Sequence, residues 1–166
     1  MAAQVSRPAA LASAAAKGVV AGVLGVAVMT AAEKVEQSVT RRPDSYVPGR
    51  TLLTLLGRHP GDDDTPLVWN HAMHWGTGAL LGALSGIWAV VGLRGPRAYL
   101  AHSVVRLAFD QTLENATGAG APPHSWPRNE QIVDVAHKAI YSVTTGIVAD
   151  LLVEPRLQSR RGTVSH

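Results

Sequence analysis

The chain has 166 residues, enough for one domain with a sizeable core and too few for two domains of ordinary size. Charged residues make up only 16% of it, below the roughly 25% that is usual in soluble domains, and the apolar residues are gathered in long blocks. The small net charge of +3 is spread along the chain, which excludes a nucleic-acid-binding footprint, and the lack of cysteine excludes disulfides and thiolate metal sites.

Four long apolar segments follow one another along the chain, and each predicts a helix. Their expected bounds are residues 8–39, 66–93, 96–116 and 129–153. The stretch Val68–Leu93 contains 26 residues without Asp, Glu, Lys or Arg. As a helix it is about 39 Å long, which exceeds the roughly 30 Å of bilayer hydrocarbon. Residues 50–58, RTLLTLLGR, have the pattern of a short amphipathic helix lying at the membrane interface.

These segments predict an all-α fold, a single membrane domain over residues 1–166 built as a four-helix transmembrane bundle. Small residues at helical spacing are typical of closely packed membrane helices, and they occur here as Gly18, Gly22, Gly78, Gly82 and Gly86. Two alternatives are less favoured. In one, the first helix is a cleaved signal peptide; in the other, the bundle is soluble, and three helices must cover the whole uncharged second helix.

The chain also reads as two similar helical hairpins. The first helix ends in AAEKVEQSVT and the third in FDQTLENATG, so that Glu36 matches Glu114. A Ser-aromatic-Pro-Arg loop follows each, SYVPGR in the first half and SWPR in the second. His71 with Trp75 then matches His137 with Tyr141, each pair one helical turn apart. The preserved order of these matches predicts an internal duplication.

Ionisable residues are expected at one end of the bundle. His102, Arg106, Asp110 and Glu114 recur every fourth residue and form one stripe on the third helix. Because neighbouring helices alternate in direction, the end of the first helix and the starts of the second and fourth lie at the same end as Glu114. Charged groups are costly in contact with lipid, so we expect them to face inward and to pair.

Two interpretations of this cluster remain open. One is a structural network that holds the helices in register, with a polar set that also includes residues beside the stripe: Glu33, His102, Arg106, Asp110, Lys138 and Tyr141. The other is a site for a divalent metal ion such as zinc, iron or manganese, resembling the carboxylate-bridged di-metal bundles. Its candidate ligands are His71, His74, Glu36, Glu114, Asp134 and His137. A metal-free path for protons or a small solute could use the same groups.

The sequence therefore predicts a small integral membrane protein that binds a metal ion or passes protons or a small solute. The alternative is an accessory or assembly subunit of a larger membrane complex, in which the polar cluster is structural. An enzyme is the least favoured hypothesis because no nucleophile or cofactor motif accompanies the cluster. The expected partners are the lipid bilayer and a second copy of the chain or a larger complex.

Several motifs resemble a group of small, mostly bacterial, multi-pass membrane proteins whose function is not established. They are MTAAEK-x-EQ at Met29–Gln37, SYVP at Ser45–Pro48, H-x2-HWG-x-GALLGAL at His71–Leu84 and DQTLENATG-x-GAPP at Asp110–Pro123. The resemblance implies about four membrane helices and no catalytic residues.

Basic residues predict the orientation in a plasma or inner membrane. On the side of the termini we find Arg7, Lys17, Arg94, Arg97, Arg156, Arg160 and Arg161. Basic residues on the other side are mixed with acidic ones and lie mainly in one long loop. The positive-inside rule then favours cytoplasmic termini, with the polar cluster facing outward.

Overall fold

The computed structural model describes residues 6–159, and within that range all regular secondary structure is helical, as the sequence predicts. Five α-helices follow in chain order: α1 (Arg7–Thr40), α2 (Val47–Leu55), α3 (Leu67–Val90), α4 (Gly95–Ala116) and α5 (Arg128–Leu152). A single 3-10 turn, Pro123–Ser125, lies between α4 and α5. Arg160 and Arg161, which entered the prediction of orientation, lie outside the described residues.

Local sequence signals explain where the helices begin and end. Ser6 caps α1, its hydroxyl accepting a hydrogen bond from the Ala9 amide at 3.4 Å. Arg41 closes the same helix in the left-handed conformation, with φ of 63°. The helix α2 lies three residues nearer the N-terminus than the expected 50–58, because Pro48 favours the first helical turn and Gly57, with φ of 76°, lies beyond the end. The helix α3 ends at Val90 rather than residue 93, just before Gly92, whose φ is 94°.

The helices α1 and α3 pack backbone to backbone along their lengths. A Cβ atom added to Gly18 would lie 2.8 Å from the Gly86 amide nitrogen, and one added to Gly22 would lie 2.8 Å from the Gly82 Cα atom. No side chain fits at such distances, so the small residues singled out in the sequence form this interface. The helix α5 packs against α1 and α4, so that the four long helices pack together, and α2 lies against α3.

The interior of the bundle consists of two layers of small and medium-sized side chains. One layer, near the termini, is formed by Ala14, Ala21, Ala89, Val90, Ala149 and Val153. The other crosses the middle of the bundle and is formed by Val26, Met29, Leu81 and Tyr141. Beyond this middle layer, at the end where α1 and α4 finish and α3 and α5 begin, the interior becomes polar.

One helix of the described chain, α1, is long and apolar enough to cross a membrane by length and composition. The helix α3 is uncharged over its whole length, but Asn70, His71 and His74 make its first half more polar. The helices α4 and α5 carry charged residues within their length, such as Arg106 and Lys138. Length and composition thus identify one candidate span where the sequence analysis expects four.

Candidate functional site

A cavity of about 570 Å³ lies at the polar end of the bundle. Its wall is formed by the last turns of α1 and α4, the first turns of α3 and α5, and the loops that join them. The side chains predicted as candidate ligands or network members that line it are Glu33, His71, His74, Arg106, Asp110, Glu114, Asp134, His137 and Lys138. Residues far apart in sequence are brought together because the four long helices alternate in direction.

Three of the predicted residues do not line the cavity. Glu36 lies on another face of α1, where its carboxylate accepts hydrogen bonds from the Arg42 guanidinium at 3.0 and 3.1 Å. His102 and Tyr141 lie deeper, in the closed middle of the bundle, and their side chains are almost completely buried. Periodicity places a residue on a helix but does not fix which face of that helix meets the neighbouring helices, which explains the difference between Glu33 and Glu36.

Four charges from two helices form the buried wall of the cavity. The Arg106 guanidinium donates to the Asp110 carboxylate at 2.9 Å, and the Lys138 ammonium lies 3.7 Å from the same carboxylate. Lys138 also donates to Asp134, one turn earlier on α5. Arg106 and Lys138 are only 4% and 7% exposed, so water contributes little to their solvation and the two carboxylates must balance them.

Three aromatic side chains lie beneath these charges, deeper in the molecule than the residues that line the cavity. The Tyr141 hydroxyl donates to the Gly78 carbonyl at 2.7 Å, and the Arg106 guanidinium lies 4.8 Å from the centre of the Tyr141 ring. His102 donates from Nε2 to the Leu81 carbonyl at 3.0 Å. The His102 ring lies 5.7 Å from Tyr141 and 5.7 Å from Trp88, measured between ring centres. We refer to Tyr141, His102 and Trp88 as the aromatic floor.

The three histidines of the cavity lie at its side. His74 shares a hydrogen bond of 3.3 Å with the Thr30 hydroxyl, which joins α3 to α1. His71 is exposed, one turn nearer the start of α3, and His137 is half-buried on α5. Among residues 6–159 the side chains of His71 and His137 make no hydrogen bond. These two rings, which line the cavity, are therefore available to a bound molecule.

Residues that the sequence analysis did not select form the mouth of the cavity. Arg42, just after α1, pairs with Glu36 and lies 3.7 Å from Glu33 and 4.0 Å from Glu130 at the start of α5. Lys34 pairs with Asp44 at 2.6 Å. The only sequence signal for Arg42 is the Arg41-Arg42-Pro43 break after α1, and the left-handed turn at Arg41 is what directs Arg42 back towards the helix end.

Ion pairing at the mouth of the cavity favours the charged forms of the Asp44 carboxyl and the Arg42 guanidinium. The hydrogen bond from the Lys34 ammonium lowers the pKa of the Asp44 carboxyl below its usual value. Burial opposes the charge of Arg42, but the hydrogen bond to Glu36 outweighs it and raises the pKa of the guanidinium. Both pairs therefore stay ionised over the physiological pH range and hold the loop after α1 against the helix ends.

The predicted metal site does not gain support from this geometry. Within the described part of the chain, no group of three or more His, Asp or Glu side chains is arranged so that it could hold a metal ion. Asp134 is engaged by Lys138 and Glu36 by Arg42, which removes two of the six candidate ligands.

Comparisons of the chain with protein-family models, with curated proteins and with solved structures found no match.

Proposed function

We propose that this chain is a small integral membrane protein that binds a small polar solute in a cavity open at one end of its helix bundle. The observation that carries the proposal is the cavity itself, which has the size of a small-molecule site and a wall of charged and histidine side chains drawn from four helices. Such a wall is costly inside a bundle unless it serves a ligand or a network of ion pairs.

The outer surface of the bundle supports membrane embedding. Large apolar side chains in the middle of all four long helices point away from the core: Val20, Leu24, Val28, Leu80, Leu100, Val104, Val143 and Ile147. Leu80 and Leu100 are 60% and 68% exposed. A soluble protein rarely exposes a continuous apolar band around its circumference, whereas lipid solvates one. The helix α1 adds the one span that length and composition identify within residues 6–159.

The closed middle of the bundle favours binding from one side over an open pore. The aromatic floor and the layer formed by Val26, Met29, Leu81 and Tyr141 separate the cavity from the other end. Below them α1 and α3 are in backbone contact at their glycines, which leaves no room for a path between these two helices. Passage of a solute or proton would require these layers to move.

The distribution of basic residues supports an orientation with cytoplasmic termini. Arg7, Lys17, Arg94, Arg97 and Arg156 lie at the closed end of the bundle. The cavity end carries basic residues too, namely Lys34, Arg41, Arg42, Arg50, Arg58 and Arg128, but most of them lie in the one long segment between α1 and α3, where acidic residues are mixed with them. By the positive-inside rule the cavity opens to the outside of a plasma or inner membrane.

A scaffold role, as an accessory subunit of a larger membrane complex, is the second candidate. Pairing within the cavity wall favours it, because Arg106, Asp110, Lys138 and Asp134 form a chain of ion pairs that joins α4 to α5. The scaffold hypothesis predicts co-purification with larger partners in mild detergent. It also predicts that replacing His71 and His137 with alanine has no effect on function.

Retention of solutes tests the proposed function. Membranes are first washed with alkaline carbonate, which should leave the protein in the pellet. Protein in lipid nanodiscs is then incubated with a small-molecule extract of cells, washed, and analysed for retained solutes by mass spectrometry. We expect Met73→Trp, which fills the cavity from α3, to abolish retention.

Leu80→Trp is the matched control, because it adds the same volume to the outer face of the same helix. It should retain solutes as the wild type does. Release of the protein by carbonate contradicts membrane embedding. Equal retention by wild type and Met73→Trp contradicts a solute-binding cavity.

A further inference from the structure

The charge balance of the cavity is negative. Six carboxylates line it, from Glu33, Asp44, Asp110, Glu114, Glu130 and Asp134, against the four cationic side chains of Lys34, Arg42, Arg106 and Lys138. With neutral histidines and all six carboxylates ionised, the wall therefore carries a net charge of −2. A concave wall of one sign concentrates ligands of the opposite sign.

The cationic side chains are already engaged by the protein. Lys34 pairs with Asp44, and Arg42 pairs with Glu36 outside the cavity. Arg106 donates to Asp110, and Lys138 lies between Asp110 and Asp134. An incoming anion would compete with a carboxylate at each of these cations. Arg106 Nη1 has no hydrogen-bond partner in the described chain, but it is inaccessible to solvent. The wall therefore offers little to an anionic ligand.

Glu114 is the exception among the lining carboxylates. Its side chain makes no hydrogen bond or ion pair with any residue of the range 6–159, although it is half-buried in the wall at the end of α4. Its five fellow carboxylates each have a cation within 4.0 Å. A carboxylate partly removed from water needs a counter-charge, and no cationic side chain among residues 6–159 forms an ion pair with this one.

The surroundings of Glu114 distinguish an organic cation from a metal ion. Among the described residues no group of three ligands is assembled for a metal. Aromatic and apolar side chains instead share the wall with Glu114, namely Trp126, Tyr46, Val47 and Met73. The Trp126 indole is held in place by its hydrogen bond to the Ala121 carbonyl at 2.7 Å. Aromatic faces attract alkylammonium groups. Such a group needs no set of coordinating ligands, and its alkyl carbons can be buried against apolar side chains.

We infer that the solute bound in this cavity is an organic cation, a protonated or quaternary amine, with Glu114 as its counter-ion and the Trp126 side of the wall covering its alkyl groups. The inference rests on the proposed function and narrows its ligand class. The volume of about 570 Å³ accommodates a cation larger than choline, so size does not restrict the ligand to the smallest amines.

Three molecules of one shape and different charge test the inference. Choline, the uncharged 3,3-dimethylbutan-1-ol and the anionic 3,3-dimethylbutanoate are titrated by calorimetry into wild-type protein in nanodiscs, and benzyltrimethylammonium serves as a larger cation. We expect the two cations to bind at least about tenfold more tightly than the alcohol, and the carboxylate not to bind.

Variants assign the effect to Glu114. Glu114→Gln keeps the shape and removes the charge, and it should weaken binding of both cations by about tenfold or more. Because Glu114 has no partner in the described chain, this variant should unfold at the same temperature as the wild type. Glu154→Gln is the matched control, an exposed glutamate at the opposite end of the bundle, and should bind both cations unchanged.

Several results would overturn the inference. They are equal affinity for choline and the alcohol, tighter binding of the carboxylate, no binding of either cation, or unchanged binding by Glu114→Gln. The wild-type series alone decides the first three, even if the variant does not fold. Loss of retained solutes in Met73→Trp would still support the cavity function in each of these cases, so the two proposals fail separately.

Discussion

Arg106 is a full positive charge in the middle of the molecule, with its side chain 5% exposed. Its stability depends on Asp110, one helical turn away at 2.9 Å, and on the face of the Tyr141 ring. Asp110 is in turn shared with Lys138 from α5. The chain therefore joins α4 to α5 by charges that have little access to water, an arrangement that is sensitive to the loss of any one member.

Replacing Arg106 by glutamine should destabilise the protein strongly. Asp110 then keeps only Lys138, and removing one partner of a buried ion pair costs about 3–5 kcal/mol. Arg156→Gln is the matched control, because Arg156 pairs with Glu154 at the surface with 57% of its side chain exposed, and such pairs contribute about 0–1 kcal/mol. Denaturation of both variants in the same detergent measures the difference, and equal losses would contradict a buried network.

Asp44 should show a measurable pH effect at the mouth of the cavity. Its pKa in the folded protein lies below the ordinary aspartate value of 3.8 because Lys34 donates a hydrogen bond to its ionised form. The contribution of this pair is therefore present above the unfolded pKa and is lost as the pH falls through the folded pKa. Titration of Asp44 by NMR should give a higher pKa in Lys34→Met than in the wild type. An unchanged value would contradict the pairing.

At the residue scale, the sequence predicts the types of side chain in the cavity wall better than it predicts which individual residues line the cavity. Most of the selected side chains line the cavity, because charged groups on apolar helices have few other places to go. Glu36 and His102 do not line it, since helical phase cannot be set without the partner helix. Arg42, Glu130 and Trp126 were not selected because they belong to loops and helix starts, whose positions depend on how the long helices pack.

At the scale of elements, the glycines of α1 and α3 decide how closely these helices approach. Gly18 and Gly22 face Gly78, Gly82 and Gly86 across the interface, so that each backbone occupies the space that a side chain would need. In the lipid environment that we propose for this chain, close packing of this kind would replace the hydrophobic driving force that is absent between membrane helices.

A side chain placed in this interface should force the helices apart. Gly82→Val puts its Cβ atom 2.5 Å from the Gly22 Cα atom, and backbone cannot move aside cheaply, so overpacking should cost about 1–3 kcal/mol or more. Gly76→Ala on the same helix has open space around its Cβ atom and should be neutral or stabilise the helix by about 0.5–1 kcal/mol. Thermal unfolding of both variants checks this, and a neutral Gly82→Val would contradict the interface.

The sequence predicts the elements because each depends on local signals. Apolar runs give the four long helices, and their ends agree with the structure within three residues. The largest differences, at both ends of α2 and the end of α3, arise at Pro48, Gly57 and Gly92, where backbone preference outweighs the apolar pattern. The predicted duplication of hairpins stays a prediction, although α1 with α3 and α4 with α5 are packed pairs.

At the scale of the whole molecule, the apolar and polar residues of the described chain are separated, an arrangement that supports the proposed membrane embedding. Exposed valines and leucines surround the middle of the bundle, while charges and histidines line a cavity at one end. The positions of the apolar and polar segments in the sequence predict this separation, because helices that alternate in direction bring their polar ends together. They do not predict the volume of the cavity or its closed floor, which depend on side-chain packing between helices far apart in sequence.

Thiol labelling at two sites on α3 tests the central claim most directly, since the chain contains no cysteine of its own. Met73→Cys places a thiol in the cavity wall, and Leu80→Cys places one in the middle of the outer apolar band. Each variant, in sealed membrane vesicles of both orientations, is exposed to a charged thiol reagent that cannot cross the bilayer.

The account predicts that Met73→Cys reacts from the outer side only and that Leu80→Cys, covered by lipid, reacts from neither side until the protein is denatured. Glu154→Cys, exposed at the opposite end, should react from the inner side and verifies the vesicle orientation. Rapid reaction of Leu80→Cys in intact vesicles, or reaction of Met73→Cys from both sides, would contradict a membrane-embedded bundle with a cavity open at one end.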